Sequence, residues 1–180
     1  MRVYIILLAL MIPIASYAKM TLQNTDERPF ANSLAKVAVE SFIDNGRPIP
    51  KQSFNVLLGD KRIGTFIAGK GFNQRDDNVC FVGWSDNGRD IRKVIPTIGF
   101  TDWESEVCDD TKAVGVLSNK EGTVAKIAVI YAAASPNAIA NESVIFDINN
   151  NGVSIDKELT NKIGSSGAKN LAELKKLYRK

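Results

Sequence analysis

The chain has 180 residues, with 23 Lys and Arg against 20 Asp and Glu, a formal charge of +3, two cysteines and no histidine. Both charge signs are interspersed and no basic stripe forms, which argues against nucleic acid as a partner. The lack of histidine removes Ser-His-Asp and Cys-His catalysis, imidazole acid–base chemistry and the usual zinc ligand sets together.

Arg2, the apolar run Val3 to Ile14 and the small residues Ala15-Ser16-Tyr17-Ala18 have the three parts of a secretory signal peptide. The run is shorter than the ~20 apolar residues of a spanning helix. The expected organisation is a signal peptide over 1–18, a flexible polar leader over 19–28 and a single α+β domain over 29–180. Cleavage would leave 162 residues with a charge of +2, no membrane span and a periplasmic or secreted location. That length buries a core without a dense disulfide framework.

From Pro29, apolar residues at Phe30, Leu34, Val37 and Ala38, extended by Phe42 and Ile43, recur at helical spacing, and Gly46, Pro48 and Pro50 forbid continuation. The period then shortens. Phe54 to Leu58 and Ile63 to Ala68 flank a Gly59-Asp60-Lys61 turn and read as a hairpin. Val79 to Ser85 reads as a strand ending in the turn Asp86-Asn87-Gly88, and Ile91 to Phe100, broken by Pro96, reads as an edge strand. Ala113 to Leu117 and Val124 to Ala132 flank a second turn, with Ile127 to Tyr131 as a central strand. Val144 to Ile148 and Val153 to Ile155 flank Asn150-Asn151-Gly152, which suits a tight hairpin. Leu171, Leu174 and Leu177 mark a last helix opening after Ser165 to Gly167. The expected architecture is an antiparallel sheet of about six to eight hairpin-connected strands, flanked by an N-terminal and a C-terminal helix on one face.

Cys80 and Cys108 are expected to pair in an oxidising compartment, for about 3 to 4 kcal/mol of loop-closure stabilisation. Trp84 and Trp103 lie near them, and packing against the disulfide is the plainer reading of either. The carboxylates Asp76 with Asp77, Asp102 with Glu104 and Glu106, and Asp109 with Asp110 cluster at loop positions that read as solvated. The basic residues Lys175, Lys176, Arg179 and Lys180 suit the C-terminal end of a helix. Gly64 to Gly71 approaches a phosphate-binding loop, but Gly71 stands where the metal-binding hydroxyl is required. Asn141-Glu142-Ser143 is a glycosylation sequon.

The sharpest motif is Asp147 to Glu158, which satisfies D-x-[DN]-x-[DN]-G-x5-E and resembles an EF-hand calcium loop. The resemblance implies Asp147, Asn149, Asn151, the Val153 carbonyl and Glu158 as Ca²⁺ ligands. The segment before it has strand periodicity, not helical, and Ser154 stands at the usual aliphatic position, so a plain Asn-Gly hairpin is favoured and no cofactor is expected.

With these exclusions the expected function is binding without catalysis, by an inhibitor or immunity protein that occludes a toxin or envelope enzyme. The loops expected to carry recognition are 73–78, 86–89 and 101–106, with Arg75, Asp76, Asp77, Arg89, Trp103 and Glu104 as contact residues. The alternatives are a carboxylate-dependent hydrolase of envelope polymers, which needs an acidic residue of raised pKa in a cleft, and a calcium-stabilised adhesion or sensing module.

Overall fold

The computed structural model describes residues 19–103, 106–118, 125–149 and 152–179. The expected signal peptide, 1–18, lies outside them. The α+β class holds, with two antiparallel sheets in place of one.

The first sheet is a meander of β1 (Met20–Asn24), β2 (Asp44–Leu58), β3 (Lys61–Phe72), β4 (Asn78–Ser85) and β5 (Lys93–Pro96), in that order. The second runs β6 (Val107–Ser118), β7 (Ala125–Ser135), β8 (Ala138–Asn149) and β9 (Gly152–Ile155). Their facing sides share one core: Phe66, Val82 and Trp84 from the first meet Val129, Tyr131, Val144 and Phe146 from the second. Phe66 and Phe146 pack edge to face with centroids 5.4 Å apart.

Each outer face is covered by helix. α1 (Ala31–Glu40) lays Leu34 and Ala38 over Ile67, Val79 and Phe81. α2 (Lys157–Ile163) and α3 (Leu171–Tyr178) cover Ala128, Ile130 and Ile145 with Ile163 and Leu174. The result is a helix–sheet–sheet–helix stack. Its cause is visible in β3, β4, β7 and β8, which are apolar on both faces: neighbours such as Phe81 and Val82, or Val129 and Ile130, enter different cores. One sheet with helices on one face has no place for the second set, which corrects the single-sheet expectation.

Three boundaries also move. The expected leader contains β1, whose Met20 is buried and pairs with Leu58, because alternation of Met20 and Leu22 gives even this short segment an apolar side. The first helix stops at Glu40, where Phe42 takes a left-handed φ of 60° and reverses the chain so that Ile43, not Phe42, enters the core. Pro48 and Pro50 lie within β2, where the pairing with β3 skips from Pro48 to Ser53. Prolines fit such interruptions because no ladder hydrogen bond is asked of them.

Several expected turns are present. Gly59 turns β2 into β3 with a φ of 60°, and β5, carrying Pro96, is the sheet edge. Gly64 lets the indole of Trp84 lie directly against the backbone of β3; a Cβ there would overlap the ring. The phosphate-loop lookalike is thus the middle of a strand.

Candidate functional site

The Cys80–Cys108 disulfide joins β4 of one sheet to β6 of the other, with the Cα atoms 5.6 Å apart. Between the two cysteines the chain must leave the first sheet and enter the second, and it does so through a pinned loop. The Cys80 carbonyl accepts the Thr97 N–H at 2.9 Å and the Thr97 hydroxyl at 2.8 Å, while the Cys80 N–H donates to Ile98. The Trp103 carbonyl then accepts from both Gly99 and Glu106 N–H. Trp103 is partly buried against the shared core, so one side of its ring is held and the other lines a cleft.

Two concavities flank this loop. One, with a volume near 500 Å³, is lined by Arg75, Asp77, Glu106, Val107 and the β7–β8 turn from Ala134 to Pro136. The other, near 260 Å³, lies between Asp102 and Trp103 on one side and Glu142, Asn161, Gly164 and Ser165 on the other. The strand ends therefore bring Arg75, Asp77 and Trp103 to one end of the molecule. Asp76, exposed with a φ of 61°, sits at the tip of the same 73–77 loop. Glu104 lies outside the described residues.

Arg89 does not join them. It follows β4, whereas Arg75 to Asp77 precede it, so the two loops sit at opposite ends of that strand. The 86–92 turn is also occupied with its own architecture: Asn87 Oδ1 accepts the N–H groups of Arg89 and Asp90, and Asp86 accepts the Trp84 indole at 2.6 Å and pairs with Arg92 at 2.6 Å. Trp84 itself is buried in the shared core with both cysteines.

Asn73 builds the other loop. Its Oδ1 accepts the N–H of Arg75 at 2.9 Å and of Asp77 at 3.1 Å, and Arg75 Nε donates to Asp77 at 3.1 Å. An Asn side chain that accepts from the backbone two residues on is a turn nucleator, so this organiser has a signal in the sequence.

The carboxylates are not all solvated as expected. Asp76, Asp102, Asp109 and Asp110 are exposed, but Glu106 is half-buried, with one oxygen enclosed and without a hydrogen-bond partner among the described residues. Burial pushes its pKa up. Glu142, opposite Tyr131 on β8, is raised by burial and then by the negative charge of Glu106. Glu142 carries no sequence signal beyond lying in the sequon; Glu106, at the entry to β6, comes near it once β6 and β8 have paired on either side of β7. Tyr131 is no acid here, because full burial pushes its hydroxyl far up.

The described residues of the Asp147 to Glu158 span hold the β8–β9 antiparallel pair, with Asn149 opposite Gly152, and the start of α2. Asn151 lies outside the described residues, and Val153 is buried in the core. Lys126 donates to Asp147 and to Asp156, both at 2.5 Å, which places a cation where the calcium reading puts its first ligand. Asp156 caps α2 by accepting the Leu159 N–H at 3.0 Å, and Glu158 is exposed in the first turn of that helix. Among the described residues no group of three or more His, Cys, Asp or Glu is placed to hold a metal. Nor is any described helix long and apolar enough to cross a membrane.

No protein-family model, curated protein or solved structure matches this chain.

Proposed function

We infer that the chain is an exported binding protein without turnover, an inhibitor or immunity protein that occludes a toxin or an envelope enzyme. The observation that carries this reading is the clamped end of the molecule: a loop tied down beside a disulfide separates two concavities, one walled by Trp103 and Glu142 and the other lined by Arg75, Asp77 and Glu106. Rigid loops lose little entropy on binding, and aromatic anchors dominate interface energy. The disulfide favours the periplasm or the extracellular space, where such bonds persist.

The test uses the mature protein as bait for an envelope extract, followed by titration of whatever partner is retained. Trp103→Ala is expected to weaken binding by about 2 kcal/mol, roughly thirtyfold. Arg89→Ala, at the far end of β4, is expected to leave affinity unchanged. Equal affinity for wild type and Trp103→Ala would move the interface elsewhere.

A second reading, a carboxylate-dependent hydrolase of envelope polymers, is favoured by Glu106 and Glu142, whose raised pKa values suit a proton donor. It requires turnover of purified envelope polysaccharide that is lost in both Glu106→Gln and Glu142→Gln. No turnover by the wild type removes it.

A further inference from the structure

β9 pairs with β8 only over Phe146–Asn149, so the remainder of that sheet edge has to be covered by other means. Ile145 is served next: its N–H donates to Thr160 Oγ1 at 3.0 Å and its carbonyl accepts the Asp156 N–H at 2.8 Å. Gly164 then lies so close to the Ser143 carbonyl that a Cβ would come within 2.6 Å of it. Beyond Ser143 the cover stops. Ala138, Ile139 and Ala140 are exposed, Ile139 to 69%, and no described strand pairs with this stretch on its open side.

The direction of its backbone groups follows from Ile145. In an antiparallel ladder alternate residues turn N–H and C=O to the same side, and β7 and β8 pair from Ala125↔Ile148 to Ser135↔Ala138 without a register shift. Ile145 points away from β7, so Ile139 and Asn141 do too. Natural edges are usually blunted by Lys, Pro or a bulge, and Ala138–Asn141 has none of these. The 260 Å³ cleft beside this edge is lined by Glu142, Asp102 and Trp103, a negative pocket with an aromatic wall.

We propose that the open edge of β8, Ala138–Glu142, is the docking site for an extended segment of the partner protein, which adds to the sheet as a strand and places a Lys or Arg side chain in the Glu142–Trp103 cleft. Backbone pairing along Ile139 and Asn141 gives the affinity, and the cleft gives the sequence preference. Charge complementarity selects this occupant. Lys157, the cation that faces Asp102, stands 4.0 Å from it on the exposed side, and Glu142 keeps its charge only against burial and the field of Glu106. An incoming cation relieves both.

This proposal rests on the protein-binding reading, and the experiment separates the two. The probe is a synthetic dodecapeptide of alternating Val and Thr with one central Lys, compared with its Glu counterpart, titrated into the mature protein while amide hydrogen exchange is followed. The Lys peptide is expected to bind about tenfold more tightly than the Glu peptide and to protect the Ile139 and Asn141 amides. Ile139→Pro removes an outward donor without touching the β7 ladder, so it is expected to fold and to abolish protection at Asn141. Glu142→Gln is expected to erase the preference for Lys. Absence of peptide protection at Ile139 and Asn141 overturns the edge site, as does self-association of the wild type through this edge in place of peptide binding. An envelope partner retained equally by wild type and Ile139→Pro overturns it too, while leaving the binding function standing. If no envelope partner is retained at all, the function itself fails.

Discussion

Gly64 and Trp84 show how single side chains fix the geometry of this molecule. The indole of Trp84 occupies the space a Cβ would need and sends its N–H to Asp86, which ties the core to the turn after β4. Gly64→Ala is expected to cost about 1 to 3 kcal/mol in a urea melt, since the largest buried ring has to move. Lys126 gives a pH signature. Burial pulls its pKa down, yet Asp147 and Asp156 outweigh burial and leave it raised, while the Leu159 N–H and Lys126 overcome burial to leave Asp156 lowered. A lowered carboxyl contributes stability above its unfolded value, about 4, and that stability is lost as the pH falls through the lower folded value. A raised amine contributes below about 10.4, and its share is lost as the pH rises past it. Asp156→Asn is therefore expected to flatten the acid arm of the melting-temperature profile, below pH ~4, and leave the region near neutrality less stable. The residues are legible to different degrees. The Cys80–Cys108 pair follows from compartment and count, whereas Glu142 has no such route, because its neighbour Glu106 is 36 positions away in sequence and meets it only after β6, β7 and β8 have paired.

Among the elements, α2 is hidden in the sequence. It spans seven residues, too few to display a helical stripe, and its strongest signal, Asp156 as N-cap, coincides with the calcium-loop pattern. Its service is to β8. Thr160→Val keeps the shape but removes the hydroxyl that receives the Ile145 N–H, and the buried amide left alone is expected to cost about 1 to 3 kcal/mol by denaturant titration. The hairpins β2–β3 and β8–β9 are readable because Gly59 and Gly152 can take the positive φ a tight reversal needs, and the edge strand β5 because Pro96 lacks a ladder donor. β1 is not, since five residues with two apolar ones look like any polar segment until β2 is beside them. Replacing both cysteines by Ala is expected to lower stability by up to about 3 to 4 kcal/mol, the loop-closure term for this spacing. It should also loosen the Trp103 loop, visible as faster exchange of the Gly99 and Glu106 amides.

At the scale of the whole molecule, the two sheets cannot be told from one by periodicity. A strand apolar on both faces reads the same whether helices cover both sides or a second sheet covers one. What decides it is the amount of apolar surface: β3, β4, β7 and β8 all need cover twice, and three helices supply only the outer layers. The end of the molecule beside the disulfide holds Glu106 and Glu142. A carboxyl with a raised folded pKa costs stability once the pH exceeds its unfolded value, about 4.3, and the full cost is present above the folded value. Glu142→Gln is accordingly expected to raise the melting temperature at pH 7 and to have no such effect at pH 3. A rise at both would mean that the gain does not come from charge.

Each sheet is built from one continuous half of the chain, residues 20–96 for the first and 107–155 for the second. A chain that emerges N-terminus first, from a ribosome or from an export channel, therefore presents β1–β5 and α1 before β7 and β8. At that moment Phe66, Val82 and Trp84 form a greasy wall with no opposite wall, the kind of surface on which nascent chains stick to one another. A chain cut short after Phe100 is therefore expected to aggregate, which light scattering of the fragment checks.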